Sequence, residues 1–177
     1  MGETLSMALR ATDTAGPRFE ALYRSCAEDV FAYVFSLLRD RSAAEDVTAA
    51  AFERAFRKRR SFNALRGSER AWLFGIARNA ALDELRRRRR SAGLVTDPED
   101  PAWALATAED QDAERRATVR QALAGLDARD RELIALKFHA GLGNAEIASV
   151  IGVSPTNAGT RIHRALTRLR EACHATS

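Results

Sequence analysis

Between Leu126 and Arg170 the chain is punctuated so closely that few conformations remain open to it. Ile147, Val150 and Ile151 recur at helical spacing after Asn144, which is expected to cap a short helix beginning at Ala145. Gly152 then supplies a sharp exit that a residue with a side chain resists, and Ser154 caps a second helix with Pro155 at its first position, where a missing N–H costs nothing. Ala148 is small enough for two helices to cross on it, and Val153, Ala158 and Ile162 fill the space between them. The result is a helix-turn-helix whose second helix runs from Pro155 to about Cys173 and exposes Thr156, Asn157, Gly159, Thr160, Arg161 and Arg164 near its start. Hydroxyls, an amide and guanidinium groups on one exposed helical face suit base edges and phosphates in a major groove. The residues alone also permit a plainer reading, in which two amphipathic helices pack around a glycine turn and Arg161, Arg164, Arg168 and Arg170 are a solvated face.

Charge is laid out in blocks. The chain of 177 residues carries a formal charge of +4, but residues 1–90 sum to +6, residues 91–114 to −7 and residues 115–177 to +5. Two basic blocks flanking an acidic strip point to a polyanionic partner, because neutralising phosphates releases counterions. Lysine occurs only at positions 58 and 137, so nearly every cation is an arginine, suited to forked contacts with phosphates and bases. No apolar run approaches the ~20 residues of a membrane-spanning helix. Cys26 and Cys173 stand apart, which disfavours a disulfide framework or a zinc site. The first 17 residues lack the apolar core of a secretion signal, so a cytoplasmic location is expected.

The organisation follows from periodicity. Residues 1–17 read as a flexible leader. Phe19, Leu22, Tyr23, Cys26, Val30, Phe31, Val34, Leu37 and Leu38 mark one buried face of a helix from Arg18 to Leu38. Ser42 with Glu45 forms a capping box for a helix through about Arg60, carrying Val47, Ala51, Ala55 and Phe52 as contacts and Asp46 and Glu53 exposed. Residues 61–67 break the pattern, and Ser68 caps a third helix that ends in the run Arg86–Arg90. On that helix Trp72, Ile76, Asn79 and Asp83 fall close to one side, with Arg70 and Arg78 adding cations. An aromatic ring and an amide beside arginines suit unstacked bases, although a tryptophan in a three-helix unit also serves as packing. Residues 91–110, with Pro98 and Pro101 and no lysine or arginine, form an acidic linker; it solvates, or it mimics nucleic acid in a basic channel. Two further helices follow, one to Leu123 and one capped by Asp127 that turns Leu133, Ile134 and Phe138 inward.

No phosphate-binding glycine loop, zinc-protease helix, nucleophile elbow or paired-carboxylate geometry is present, and His139, His163 and His174 are scattered. Neither catalysis, a cofactor nor a metal is expected. The fold class is all-α, with two small helical domains (18–90 and 111–177) joined by the acidic, proline-containing linker, and a helix-turn-helix in the second.

The segments AAEDVTAAAFERAF (43–56), RAWLFGIARNAALDELRRRRR (70–90), LDARDRELIALKFHAGLGNAEIASVIGVS (126–154) and GTRIHRALTRLRE (159–171), in this order, resemble the sigma subunits of bacterial RNA polymerase, and among them the two-domain extracytoplasmic-function (ECF) group. The resemblance covers residues 18–173 and implies a factor that directs core RNA polymerase to promoter DNA while the chemistry stays with the core enzyme. It implies that Glu45, Asp46, Val47, Ala50 and Phe52 dock on the polymerase, that Asn63, Arg70, Trp72, Arg78 and Asn79 melt the −10 element and capture a strand, and that Thr156, Asn157, Gly159, Thr160, Arg161 and Arg164 read the −35 element. An anti-sigma partner is implied as well. The chain departs from the family where Gln-Glu is usual, with Ala49-Ala50, and where Val-Lys is usual, with Ala158-Gly159. A stand-alone helix-turn-helix regulator, or a decoy that occupies polymerase without initiating, are the alternatives that the sequence leaves open.

Overall fold

The computed structural model describes residues 16–91 and 111–176. Residues 1–15 of the expected leader and 92–110 of the expected linker lie outside the described residues, whereas Gly16 and Pro17 already belong to the first helix and Ser91 closes the third. The described residues form seven α-helices: α1 (Gly16–Leu38), α2 (Arg41–Lys58), α3 (Glu69–Ser91), α4 (Gln111–Gly125), α5 (Ala128–Phe138), α6 (Asn144–Ile151) and α7 (Pro155–Thr176). Two short 3₁₀ turns, Arg59–Ser61 and Ala64–Arg66, carry the chain from α2 to α3.

The N-terminal unit packs α1, α2 and α3 against one another. Phe19, Cys26, Val30, Val34 and Leu38 are buried along α1, as their spacing requires, together with Tyr33, whose ring meets Phe74 edge-on at 5.5 Å. Alanine sets how closely the helices approach: Ala44, Ala51 and Ala55 on α2 and Ala71, Ala77 and Ala81 on α3 are buried, so the backbones come together around Phe52, Leu73 and Phe74. The break between α1 and α2 is made by Arg39 in the left-handed region (φ 53°), its N–H bonded to the Phe35 carbonyl. Asp40, not Ser42, caps α2, accepting from the Ala43 N–H at 3.0 Å, so the cap sits two residues earlier than the Ser42–Glu45 capping box implied. That contact holds the Asp40 carboxyl below the usual carboxylate range, with help from Arg88.

In the C-terminal unit α7 packs on α4, α5 and α6. Asp127 caps α5 through the Asp130 N–H (2.8 Å). Gly143, not Asn144, occupies the cap of α6, and the Glu146 carboxylate accepts its N–H at 2.9 Å. A carboxylate three residues into the helix thus satisfies the cap residue's own N–H, and Asn144 is the first helical residue instead of the cap. Gly152 takes the left-handed conformation (φ 74°) and Ser154 accepts from the Asn157 N–H (3.3 Å), as the turn required. Ala148, Ala158, Ile162 and Ala165 are buried where α6 and α7 cross. Phe138 does not turn inward: at 65 % exposure it closes α5 on the surface, while Leu136 is fully covered in its place.

The two units touch. α1 packs on α5 and α3 on α6, and buried residues of both units belong to one continuous cluster.

Candidate nucleic-acid interface

The first surface is the start of α7. Pro155 and the Ser154 cap orient its first turn, and Ala158 and Ile162 anchor its inner face, so Thr156, Asn157, Thr160, Arg161 and Arg164 project outward and are exposed. Gly159 lies half-buried at the edge of this face, facing Asn144. The Thr160 hydroxyl donates to the Thr156 carbonyl (3.0 Å), which leaves its oxygen free to accept. Arg161 and Arg164 form no ion pair among the described residues and line one cleft of about 420 Å³ with Arg129 and Arg168. Arg168 differs: it pairs with Asp130 and, at 3.6 Å, with Asp127, so it ties α7 to α5.

The second surface is a cavity of about 440 Å³ between the 61–67 loop and α3. Trp72, Ile76 and Asn79, successive positions on one side of α3, line it as the sequence spacing required. Phe62 adds a ring 5.6 Å from Trp72, tilted by 58°, and Lys58 and Arg66 add charge. Trp72 combines both roles weighed from the sequence, being half-buried against the core and open to the cavity. Asn63 is exposed on the rim; its Oδ1 accepts the Leu65 N–H (2.9 Å) and so shapes the loop. Phe62 and Lys58 were not singled out by the sequence reading. An aromatic residue at the start of a loop that faces a helical tryptophan is the signal that could have found Phe62.

Arg70 and Arg78 are not in that cavity. The Arg70 guanidinium is taken by Asp29, the Cys26 thiol and the carbonyls of His139 and Ala140. Arg78 pairs with Glu132 on α5, Nε to Oε1 at 2.6 Å, and the Tyr33 hydroxyl donates to the same Oε1 at 3.2 Å. Burial works against the charge on Arg78, but the Glu132 bond and charge outweigh it, so its pKa is raised; burial pushes the Tyr33 hydroxyl well above its ordinary range. As it stands in this structure, neither arginine is free to meet DNA.

A third set was expected to dock on polymerase. Asp46 is exposed, and Glu45 and Ala50 are partly so, on α2. Val47 (9 % exposed) and Phe52 (1 %) are not on that surface: they belong to the interior, Phe52 against Phe19 and Tyr23. Their apolar character was a core signal. Among the described residues no group of three His, Cys, Asp or Glu side chains could hold a metal ion, and no helix is long and apolar enough to cross a membrane.

A helix-turn-helix with an open, basic recognition face, joined to a second helical unit with its own aromatic and amide-lined cavity, defines a class of DNA-reading proteins that carries more than one contact surface. Residues 22–91 match the family model for sigma-70 region 2, and residues 116–169 that for sigma-70 region 4. The chain is 32 % identical to the RNA polymerase sigma factor CarQ of Myxococcus xanthus over 92 % of each chain. It is 32 % identical to the ECF RNA polymerase sigma factor SigL of Mycobacterium tuberculosis over 85 % of each. Its fold matches the sigma factor RpoE of Bartonella quintana, solved in complex with the anti-sigma factor NepR, with a TM-score of 0.69 and 27 % identity, covering 88 % of this chain and 96 % of that one. The chain belongs to the ECF sigma factors of the sigma-70 family. It is a promoter-specificity factor for transcription initiation, the function anticipated from the resemblance.

Proposed function

We propose that the start of α7 reads the −35 element of a promoter and that the cavity between the 61–67 loop and α3 takes unpaired bases of the −10 element. Exposed Thr156, Asn157, Thr160, Arg161 and Arg164 supply donors and acceptors for a major groove, with Gly159 leaving room at the edge of the face. In the cavity, Trp72 and Phe62 offer faces for stacking, Asn79 an amide for base edges, and Lys58 and Arg66 charge for the backbone. Glu45, Asp46 and Ala50 on α2 contact core RNA polymerase, which holds all the chemistry, and an anti-sigma protein restrains the factor. The observation that carries this reading is the pairing of two DNA-suited surfaces, one for duplex and one for separated strands, on different units of one chain. Permanganate footprinting of holoenzyme on a promoter fragment, with wild-type chain and Trp72→Ala, tests it. Thymines near −10 become reactive with wild-type and far less so with the variant, while upstream protection by α7 is kept. Equal reactivity would remove the cavity from the reading.

A further inference from the structure

Leu65 is the most exposed large apolar side chain among the described residues, at 95 %, and the one such residue in the N-terminal unit. Its backbone is nonetheless held. Asn63 Oδ1 accepts the Leu65 N–H at 2.9 Å, the Arg66 N–H donates to the Asn63 carbonyl at 2.9 Å, and the Gly67 N–H reaches the Ala64 carbonyl at 3.5 Å, which closes a 3₁₀ turn. Gly67 ends that turn at φ 141°, a conformation that residues with a side chain rarely adopt. The loop's other large apolar residue, Phe62, is half-buried against Trp72, with the Arg18 guanidinium 5.9 Å from its ring centre. Asn63 and Arg66, which bracket Leu65, line the cavity of the proposed −10 site; Leu65 is not in the lining and stands at its outer rim.

We infer that Leu65 is a wedge that enters the base stack at the edge of the −10 segment and fills the step left open when a base swings into the cavity. The inference rests on the −10 reading above and adds to it the residue that parts the stacked bases. A base can enter a cavity only by leaving its neighbours, and an apolar side chain fills the vacated step best, because it has no polar group to strip of water. Residues 63–68 are all exposed, and of these Leu65 alone is both apolar and long enough to span a base step. The turn that presents it is already formed, so insertion orders one side chain and not a whole loop. Arg66 beside it and Lys58 in the cavity lining supply charge for the backbone of the displaced strand. A single leucine set among Asn63, Arg66 and Ser68 suits nucleic acid better than a protein partner, which would meet a wider apolar patch.

Holoenzyme carrying the full-length chain as wild type, Leu65→Asn, Leu65→Met or Trp72→Ala is compared on a promoter from which the wild-type chain initiates. The promoter is supplied fully paired or with its −10 segment mismatched, and the rate at which initiation-competent complexes form is read from abortive transcripts. Leu65→Asn slows the paired template about tenfold, and Leu65→Met stays within about threefold of wild type. On the mismatched template both match wild type, because the bases are already apart. The melting temperature of the free chain and its affinity for core polymerase stay unchanged in both, since Leu65 supports no packing. A wild-type rate for Leu65→Asn on the paired template overturns the wedge. So does an equal loss on both templates, which makes Leu65 a contact to strands already open, or a loss that tracks polymerase affinity, which makes it a docking residue. Trp72→Ala separates the two readings: wild-type rates on both templates remove the cavity and the wedge with it, whereas a slow Trp72→Ala beside a normal Leu65→Asn removes the wedge alone.

Discussion

Arg161, Arg164 and Arg168 lie on the same helix within eight residues, and the structure divides their roles. Arg161 and Arg164 are exposed and make no ion pair among the described residues, so truncating either removes nothing that the fold uses. Surface changes of that kind stay within about 0.5 kcal/mol, and the melting temperature is expected to hold within ~2 °C. If either arginine forks onto a base edge, its loss costs about 1–3 kcal/mol of promoter affinity, a drop of roughly 5- to 150-fold. If it meets a phosphate instead, affinity falls across all sequences and the salt dependence flattens by about one unit of slope. Arg168 is the contrast. It holds Asp130, whose side chain is 10 % exposed, so Arg168→Ala leaves that carboxylate facing α7 without its partner and lowers the melting temperature. Fluorescence anisotropy of holoenzyme on a promoter duplex across a salt series, beside thermal melts of each free variant, measures both quantities. Wild-type affinity in both Arg161→Ala and Arg164→Ala would refute the recognition-face assignment. Affinity losses that simply follow the melting temperature would refute the division of roles.

Other outcomes follow from single contacts. Trp72→Ala lowers open-complex formation more than closed-complex binding, as read by stopped-flow kinetics of promoter opening; equal losses accompanied by a lower melting temperature would make Trp72 a packing residue only. Gly152→Ala places a side chain at φ 74° and costs about 1–2 kcal/mol, whereas Gly159→Ala, whose new Cβ would meet Asn144 Nδ2 at an ordinary 3.5 Å, gains up to about 1 kcal/mol of helix stability; calorimetry reads both signs. The Glu146 carboxyl is held below its ordinary range by the Ser68 hydrogen bond and the Gly143 N–H, and Glu84 by its bond to Arg87 together with Arg88. Because these folded values lie below the unfolded ones, their stabilisation is complete above about pH 4–5 and is lost as pH falls through the folded values. The melting temperature therefore drops on acidification, and Glu146→Gln shrinks the drop.

The helix-turn-helix was legible because its signals are local. A glycine at φ 74°, a serine cap and a proline at the first helical position each act within a few residues, and all three stand where the sequence put them. The cavity was half legible: the spacing of Trp72, Ile76 and Asn79 shows one side of a helix, but not that Phe62 folds back to meet it. Caps were misjudged by a residue or two where several polar residues compete, as with Asp40 against Ser42 and Gly143 with Glu146 against Asn144. Val47 and Phe52 were given a surface role that the resemblance suggested and their burial denies. The contact between units was not legible at all. Arg78 and Glu132 are 54 residues apart, and nothing in a one-dimensional pattern distinguishes a guanidinium waiting for phosphate from one already held by a carboxylate.

Run-off transcription by core RNA polymerase, with and without the purified chain, on genomic fragments bearing candidate promoters tests the central claim most directly. The account predicts discrete transcripts that depend on the chain and disappear with Arg161→Ala combined with Arg164→Ala, although that variant still binds polymerase. Polymerase binding without any chain-dependent transcript, or tight operator binding by the chain with no polymerase present, would contradict it.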